Sequence, residues 1–444
     1  MTSTSSSVRA GRDRIHEAYL AILKSELVPA MGCTEPIAVA LAAAKAREIL
    51  GCMPDRIDIA CSANIVKNVK GVTVPNTGGL KGIDVAAIAG TVGGDASRSL
   101  QVLQSVTQAD IEETVRLRDA GFCSTSLAEG IEGLYVLARA YQGEHNAEIV
   151  LRDTHDGIAL IKRDGRVLFE RGQVGALSSI STTAGVSSDD RKDYALLNVC
   201  DILEFATTVK LEEVRSTITT QIEMNTAISN EGLTHYYGAD VGKTLARDAR
   251  GDLRARCKAR AAAGSDARMG GCAMPVIINS GSGNQGMTVS LPIIEYARSE
   301  GVSDDQLLRA LVLANLTAIH QKKYIGKLSA YCGAVSAAVG AGAGMTYLKG
   351  GNYEKICHTI TNTIATIGGM VCDGAKASCA AKIASAIDAA FTGMALADEG
   401  KVFRSGEGLV GDDVEDTIKN FGLVGGVGMK TTDIEIIKLM LKEH

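Results

Sequence analysis

The sequence predicts an α+β fold that is predominantly helical, with a helical domain formed from both chain ends and a smaller α+β domain inserted into it. Three observations carry that reading. Apolar residues recur at helical spacing near the N-terminus and over most of the chain after Ser188. Between those regions, short stretches alternate apolar and polar residues and are punctuated by Asp-Gly pairs, a strong hairpin signal. Glycine is abundant (49 of 444 residues), aromatics make up 4% and tryptophan is absent, which favours closely packed helices and backbone-lined loops over an aromatic core. The expected boundaries are 1–51 and 180–444 for the helical domain and 52–179 for the insert.

Met1 to Arg12 is polar and Ser/Thr-rich, reads as a frayed tail and lacks the apolar stretch of a signal peptide. Arg12 to Ser25 sets Ile15, Tyr19, Ile22 and Leu23 on one side of a helix that breaks at Val28-Pro29. A second helix is expected from Thr34-Glu35-Pro36, with Thr as N-cap, an acid in the first turn and Pro where no donor is needed, and runs to about Leu50. Arg56 to Cys61 and Gly71 to Val74 are strand candidates, and Asn76-Thr77-Gly78-Gly79 is a loop. Ala147 to Arg152, Ile158 to Lys162 and Val167 to Glu170 are strands separated by Asp156-Gly157 and Asp164-Gly165. Leu211 to Asn230 and Asp240 to Ala263 read as long helices. Gly264 to Gly286 interrupts them, and helices then resume. Leu328 to Leu348 carries no charge and is long enough for a bilayer, but its Gly, Ala and Ser content suits a tightly packed core, so no membrane is expected.

A net charge of −5 and the lack of a Lys/Arg run argue against nucleic acid as a partner. Eleven irregularly spaced cysteines point to reduced thiols and a cytoplasmic location rather than a disulfide scaffold. Cys52, Cys61, Cys123, Cys200, Cys257 and Cys357 read as small buried hydrophobes, which leaves Cys33, Cys272, Cys332, Cys372 and Cys379 to explain. No Walker loop, Gly-x-Ser-x-Gly elbow or paired histidine motif is present, and Lys322-Lys323 is either an anchor for an anionic ligand or, the preferred reading, solvated helix charge.

By spacing, Cys332, Cys372 and Cys379 fit either inert buried thiols among small residues or convergent thiolate ligands; a structural zinc would call for closer pairs. Cys33, just before a helix start, is either space-filling or a thiol whose pKa the helix N-terminus lowers, an effect that Glu35 opposes. Asn279 to Gly286 is either a connecting loop or a carboxylate- or phosphate-binding turn at a helix N-terminus, with Asn76 to Gly79 a weaker candidate of the same kind.

Taken together, Met31-Gly32-Cys33-Thr34-Glu35-Pro36, the Asn279 to Gly286 loop, Cys332 and the Cys372/Cys379 pair resemble the L-cysteine desulfidases, which belong with the alpha chains of iron–sulfur L-serine dehydratases. The resemblance covers nearly the whole chain. It implies that Cys332, Cys372 and Cys379 ligate a [4Fe-4S] cluster with one open iron, and that Cys33 is the catalytic proton acceptor. The reaction it implies is removal of the β-substituent of a small amino acid, cysteine giving pyruvate, ammonia and sulfide. The substrate carboxylate would lie on Ser280, Gly281, Ser282, Gly283 and Asn284. Serine dehydratases proper space their last two cluster cysteines more widely and generally carry a separate beta domain, which favours the desulfidase side. L-serine dehydration is the alternative within the same chemistry, and a non-catalytic iron–sulfur sensor is the alternative outside it. A homo-oligomer is expected.

Overall fold

The computed structural model describes residues 3–131, 133–171, 193–326 and 328–441, with side chains from Gly11 onward. Helix α1 (Ser3–Glu26) leads through strand β1 (Pro29–Met31) into α2 (Thr34–Leu50). Next come β2 (Arg56–Cys61), α3 (Ala63–Val69), α4 (Ile83–Gly93), α5 (Gln108–Asp119) and strands β3 (Cys123–Leu127), β4 (Tyr135–Gln142), β5 (His145–Arg152), β6 (Ile158–Arg163) and β7 (Arg166–Glu170). The remainder is helical apart from β8 (Pro275–Ile277): α6 (Val199–Thr208), α7 (Leu211–Thr234), α8 (Val241–Arg247), α9 (Leu253–Met269), α10 (Gly283–Glu300), α11 (Asp304–Ile325) and α12 (Gly333–Leu348). After these come α13 (Tyr353–Ile367), α14 (Cys379–Asp398), α15 (Val414–Leu423) and α16 (Lys430–Leu441). The fold is therefore α+β and predominantly helical. The boundary expected at 179/180 lies outside the described residues.

The six-stranded sheet runs in the order β3-β2-β4-β5-β6-β7, parallel between β2 and β3 and antiparallel elsewhere. Its inner face packs on α2, whose residues from Thr34 to Ala44 are all buried; an Ala-rich helix apolar on every side belongs in such a place. Gly90 lets α4 close on α2, since a Cβ there would lie 2.2 Å from the Ala40 carbonyl oxygen. The charge-free run forms α12, the central helix of the helical layer, where Gly340 and Gly344 seat it against α11 and α10. One described helix, α14, is long and apolar enough to cross a membrane, and 56% of its apolar window is buried inside the protein.

Several local expectations are revised. The first helix begins at Ser3, inside the segment expected to fray. Gly71 to Val74 is not a strand; Thr73 makes only an isolated bridge to Lys81. The helix expected over Asp240 to Ala263 is two helices broken between Arg247 and Leu253, where Gly251 has φ +80°, and the second extends to Met269. Asp164-Gly165 is the two-residue β6–β7 turn, whereas Asp156-Gly157 closes a longer β5–β6 connection. That connection presents His155 to the helical layer. Cys200 is exposed rather than buried.

Candidate functional site

Four helices from distant parts of the chain begin at one cavity of about 100 Å³. Cys33 is the N-cap of α2, Ser282 of α10 and Cys332 of α12, and Cys379 is the first residue of α14. Each helix start presents unpaired backbone N–H groups and the positive end of its dipole, so the cavity favours anions.

The α2 corner is built on a tight turn. Gly32 has φ +54°, and a Cβ there would meet the Pro75 ring at 2.0 Å, so no other residue fits. The chain then turns into α2 with Cys33, not Thr34, as N-cap. The Cys33 thiol donates to Glu35 Oε2 at 3.0 Å, and the Thr34 hydroxyl reaches the Gly281 carbonyl at 3.0 Å, tying this corner to the loop before α10. Burial first, and then the Glu35 charge, push the Cys33 thiol well above the ordinary range. The depression expected from the helix start is thus outweighed. Glu35 is the counterpart: burial pushes it up, but the His155 contact, the Cys33 thiol and Arg268 outweigh burial and hold it at about 2. His155 Nε2 lies 3.7 Å from Glu35 Oε1.

The second corner is the turn Asn279–Ser282. Its two ends exchange backbone hydrogen bonds at 3.1 Å, with Ser280 at φ +50° and Gly281 at φ +79°. Asn279 is anchored from below by Asn315, itself bonded to Gln221. Ser280, Gly281, Ser282, Asn284 and Gln285 line the cavity. Gly283 does not; it is set back, and a Cβ there would sit 2.4 Å from Arg268 Nε. Gly333 has the same office for Gln285, whose carboxamide carbon lies 2.4 Å from where a Cβ would be. The loop Asn76 to Gly79, by contrast, is structural: Asn76 donates to the carbonyls of Leu103 and Val106, and Thr77 to Val74.

The third wall holds the thiols. A short antiparallel bridge between Tyr331 and Val371, flanked by Cys332 N to Met370 O (2.9 Å) and Cys372 N to Ala330 O (2.6 Å), fixes Cys332 beside Cys372. Cys372 lies in a loop rather than on a helix shared with Cys379, and Gly374 (φ +93°) bends that loop against the Lys67 carbonyl. The neighbouring Cys332 thiol, helped by Lys67 and Lys376, pushes Cys372 below the ordinary thiol range, while the same pairing raises Cys332. Cys332, Cys372 and Cys379 all line the cavity that Cys33 lines. Cys272 is elsewhere, in the core.

Among the described residues no three His, Cys, Asp or Glu side chains close around a single ion position. Three thiols ringing a cavity, one already favoured as thiolate and with lysines behind it, are the soft donor set that an iron–sulfur cluster takes. The sequence gave no sign of His155, Arg268 or Lys67, which come to the site through tertiary packing alone, and offered Lys322 only as the less favoured anion anchor. Lys322 is buried on the cavity wall, not solvated.

The profile of the serine dehydratase alpha chain family matches residues 97–438, a span that includes the 279–286 turn and the three wall cysteines but not Cys33 or Glu35. Among curated proteins, a UPF0597 protein of Lachnoclostridium phytofermentans is 53% identical over 96% of this chain and all of its own length. UPF0597 proteins of Desulfitobacterium hafniense and Finegoldia magna are 47% and 45% identical over 97% and 96% of this chain, and over 98% and 99% of their own lengths.

Proposed function

The chain belongs to the serine dehydratase alpha chain family and is a lyase of that general kind; from that premise we propose a [4Fe-4S]-dependent β-elimination, most directly of L-cysteine to pyruvate, ammonia and sulfide. One observation carries the proposal: Cys33, Cys332, Cys372 and Cys379, spread over the chain, line a single cavity at four helix starts. L-serine dehydration uses the same residues and is the second reading, favoured by the family match itself.

Cys332, Cys372 and Cys379 would hold the cluster. When bound, the cluster supplies a Lewis-acidic iron for the leaving β-substituent. The remaining work falls to the protein. Cys33 and Glu35 share one proton across 3.0 Å; at rest it stays on the sulfur, and its passage to the carboxylate would free a sulfur lone pair for the Cα–H of a bound amino acid. In the resting site the His155 contact and the field of Arg268 keep Glu35 charged. The α10 start and the Ser280 to Asn284 backbone favour an anionic group at one end of the substrate. We place the protein in the reducing cytoplasm, where free thiols persist.

The test is anaerobic purification, reconstitution with iron and sulfide, and parallel assays with L-cysteine and L-serine. About four irons per chain with sulfide and pyruvate from cysteine supports the desulfidase; pyruvate from serine alone moves the assignment to a dehydratase. Cys33→Ser is expected to keep the iron and lose turnover, and Cys372→Ser to lose both. A protein that takes up no iron, or a fully active Cys33→Ser variant, overturns the corresponding part.

A further inference from the structure

Arg268 is the last arginine of α9, 2% exposed, and the largest fully buried side chain among the described residues. It lines the cavity, yet its Nε has no hydrogen-bond partner, and no ion pair joins it to a carboxylate among the described residues. A guanidinium cannot shed its proton, so a buried one without a partner is costly and calls for an anion. Glu35 feels its field, but the oxygens of Glu35 are engaged by Cys33, Thr34 and His155. A second group nearby is unsatisfied in the opposite sense. Gln285, 5% exposed, lines the same cavity, and its Oε1 is buried without a donor. Both face the one cavity, and each is given room by a glycine at a helix start: Gly283 makes room for the Arg268 stem, and Gly333, at the start of α12, makes room for the Gln285 carboxamide.

We propose that Arg268 and Gln285 form a clamp for a zwitterionic α-amino acid, Arg268 taking the α-carboxylate and Gln285 Oε1 accepting from the α-ammonium group. The clamp rests on the lyase reading only for the identity of the substrate. A guanidinium offers two parallel donors to a carboxylate, and the α10 helix start adds the sign of charge that a carboxylate needs. The carboxamide oxygen favours an amino acid, whose ammonium donates a charge-assisted hydrogen bond, over the hydroxy acid of the same shape, whose hydroxyl donates only a neutral one, and over the keto acid, which brings no donor. Specificity for free amino acids thus lies in two side chains outside the Ser280 to Asn284 stretch.

The experiment is calorimetric titration of the anaerobically reconstituted holoenzyme with L-alanine, which has both charged groups and no leaving group. L-alaninamide, lacking the carboxylate, and L-lactate, lacking the ammonium, are the comparison ligands. L-alanine is expected to bind the wild type, L-lactate to bind it about tenfold more weakly and L-alaninamide roughly 30- to 1,000-fold more weakly. Arg268→Gln is expected to weaken L-alanine by a similar factor and to leave L-alaninamide unchanged, with Arg268→Lys between; iron per chain should hold in each. Equal binding of L-alanine and L-alaninamide by the wild type overturns the proposal without reference to any variant, as does an Arg268→Gln protein that binds L-alanine normally. A holoenzyme that turns over neither cysteine nor serine, yet binds L-alanine through Arg268, removes the lyase reading and supports the clamp.

Discussion

Replacing Lys67 by methionine tests how the thiol wall is supported from behind. The Lys67 side chain is 1% exposed and pairs with Asp433, whose side chain is 13% exposed, so the pair joins α3 to the C-terminal helix α16 inside the protein. Lys70 reinforces the joint by donating to the Met440 carbonyl. Removing one member of a buried pair strands the other charge and typically costs about 3–5 kcal/mol, whereas replacing both by apolar groups is often neutral or better. Lys67→Met is therefore expected to destabilise the iron-free protein by about 3–5 kcal/mol, and Lys67→Met/Asp433→Leu to recover most of that loss. Lys67 is also among the groups that lower the Cys372 thiol, after the neighbouring Cys332 thiol, so both variants should take up iron less readily at a given pH. Urea unfolding of the single and double variants, with iron content after reconstitution, reads both effects. A single variant costing less than about 1 kcal/mol, or a double variant no more stable than the single one, refutes the reasoning.

Three further outcomes are expected. Glu35→Gln removes the charge that, next to burial itself, raises the Cys33 thiol, so the pH at which a small thiol reagent modifies Cys33 in the iron-free protein should fall by about one unit or more; an unchanged profile would show that burial alone sets it. Asp266 is raised to about 6, chiefly by burial, so its folded pKa exceeds its unfolded one, and stability is lost as pH rises from about 4 to about 6. Asp266→Asn should abolish that slope and gain about 1–3 kcal/mol at pH 7 in urea unfolding, and a variant retaining the slope would assign it to another group. Gly333→Ala drives a Cβ into the Gln285 carboxamide, so thermal unfolding should report a loss of about 1–3 kcal/mol; a variant as stable as wild type would mean that Gln285 has room to move.

What the sequence disclosed follows from how local each signal is. The α2 helix was legible to within a residue because Pro36 and Glu35 mark its first turn chemically; the cap is Cys33 rather than Thr34, and it offers no side-chain bond by which a cap is recognised. The strands β5, β6 and β7 were legible because Asp-Gly pairs demand particular backbone angles; β4 and α4 carry no such mark and were missed. Glycine and alanine around Cys332 and Cys372 hid the bridge from Tyr331 to Val371, since a pairing made by two backbone segments leaves no side-chain pattern. Arg268 fell in the Gly264 to Gly286 stretch read as interrupting the helices and carried no mark of its own; only the packing of α9 against the α10 start makes it solitary. His155 arrives on a hairpin connection of the sheet, a juxtaposition that no spacing rule encodes.

The assembly of one cavity from four helix starts also has a consequence for synthesis. Cys33 leaves the ribosome long before Cys379, and at about 5–20 residues per second the interval amounts to roughly tens of seconds. During that interval the thiol sealed in the finished protein stands open to oxidants and stray metal, with neither its Glu35–His155 surroundings nor the wall cysteines complete. A cluster held by Cys332, Cys372 and Cys379, as proposed, would have to await the last quarter of the chain, so a nascent chain stalled before Cys379 would hold the first thiol and lack the pocket that encloses it.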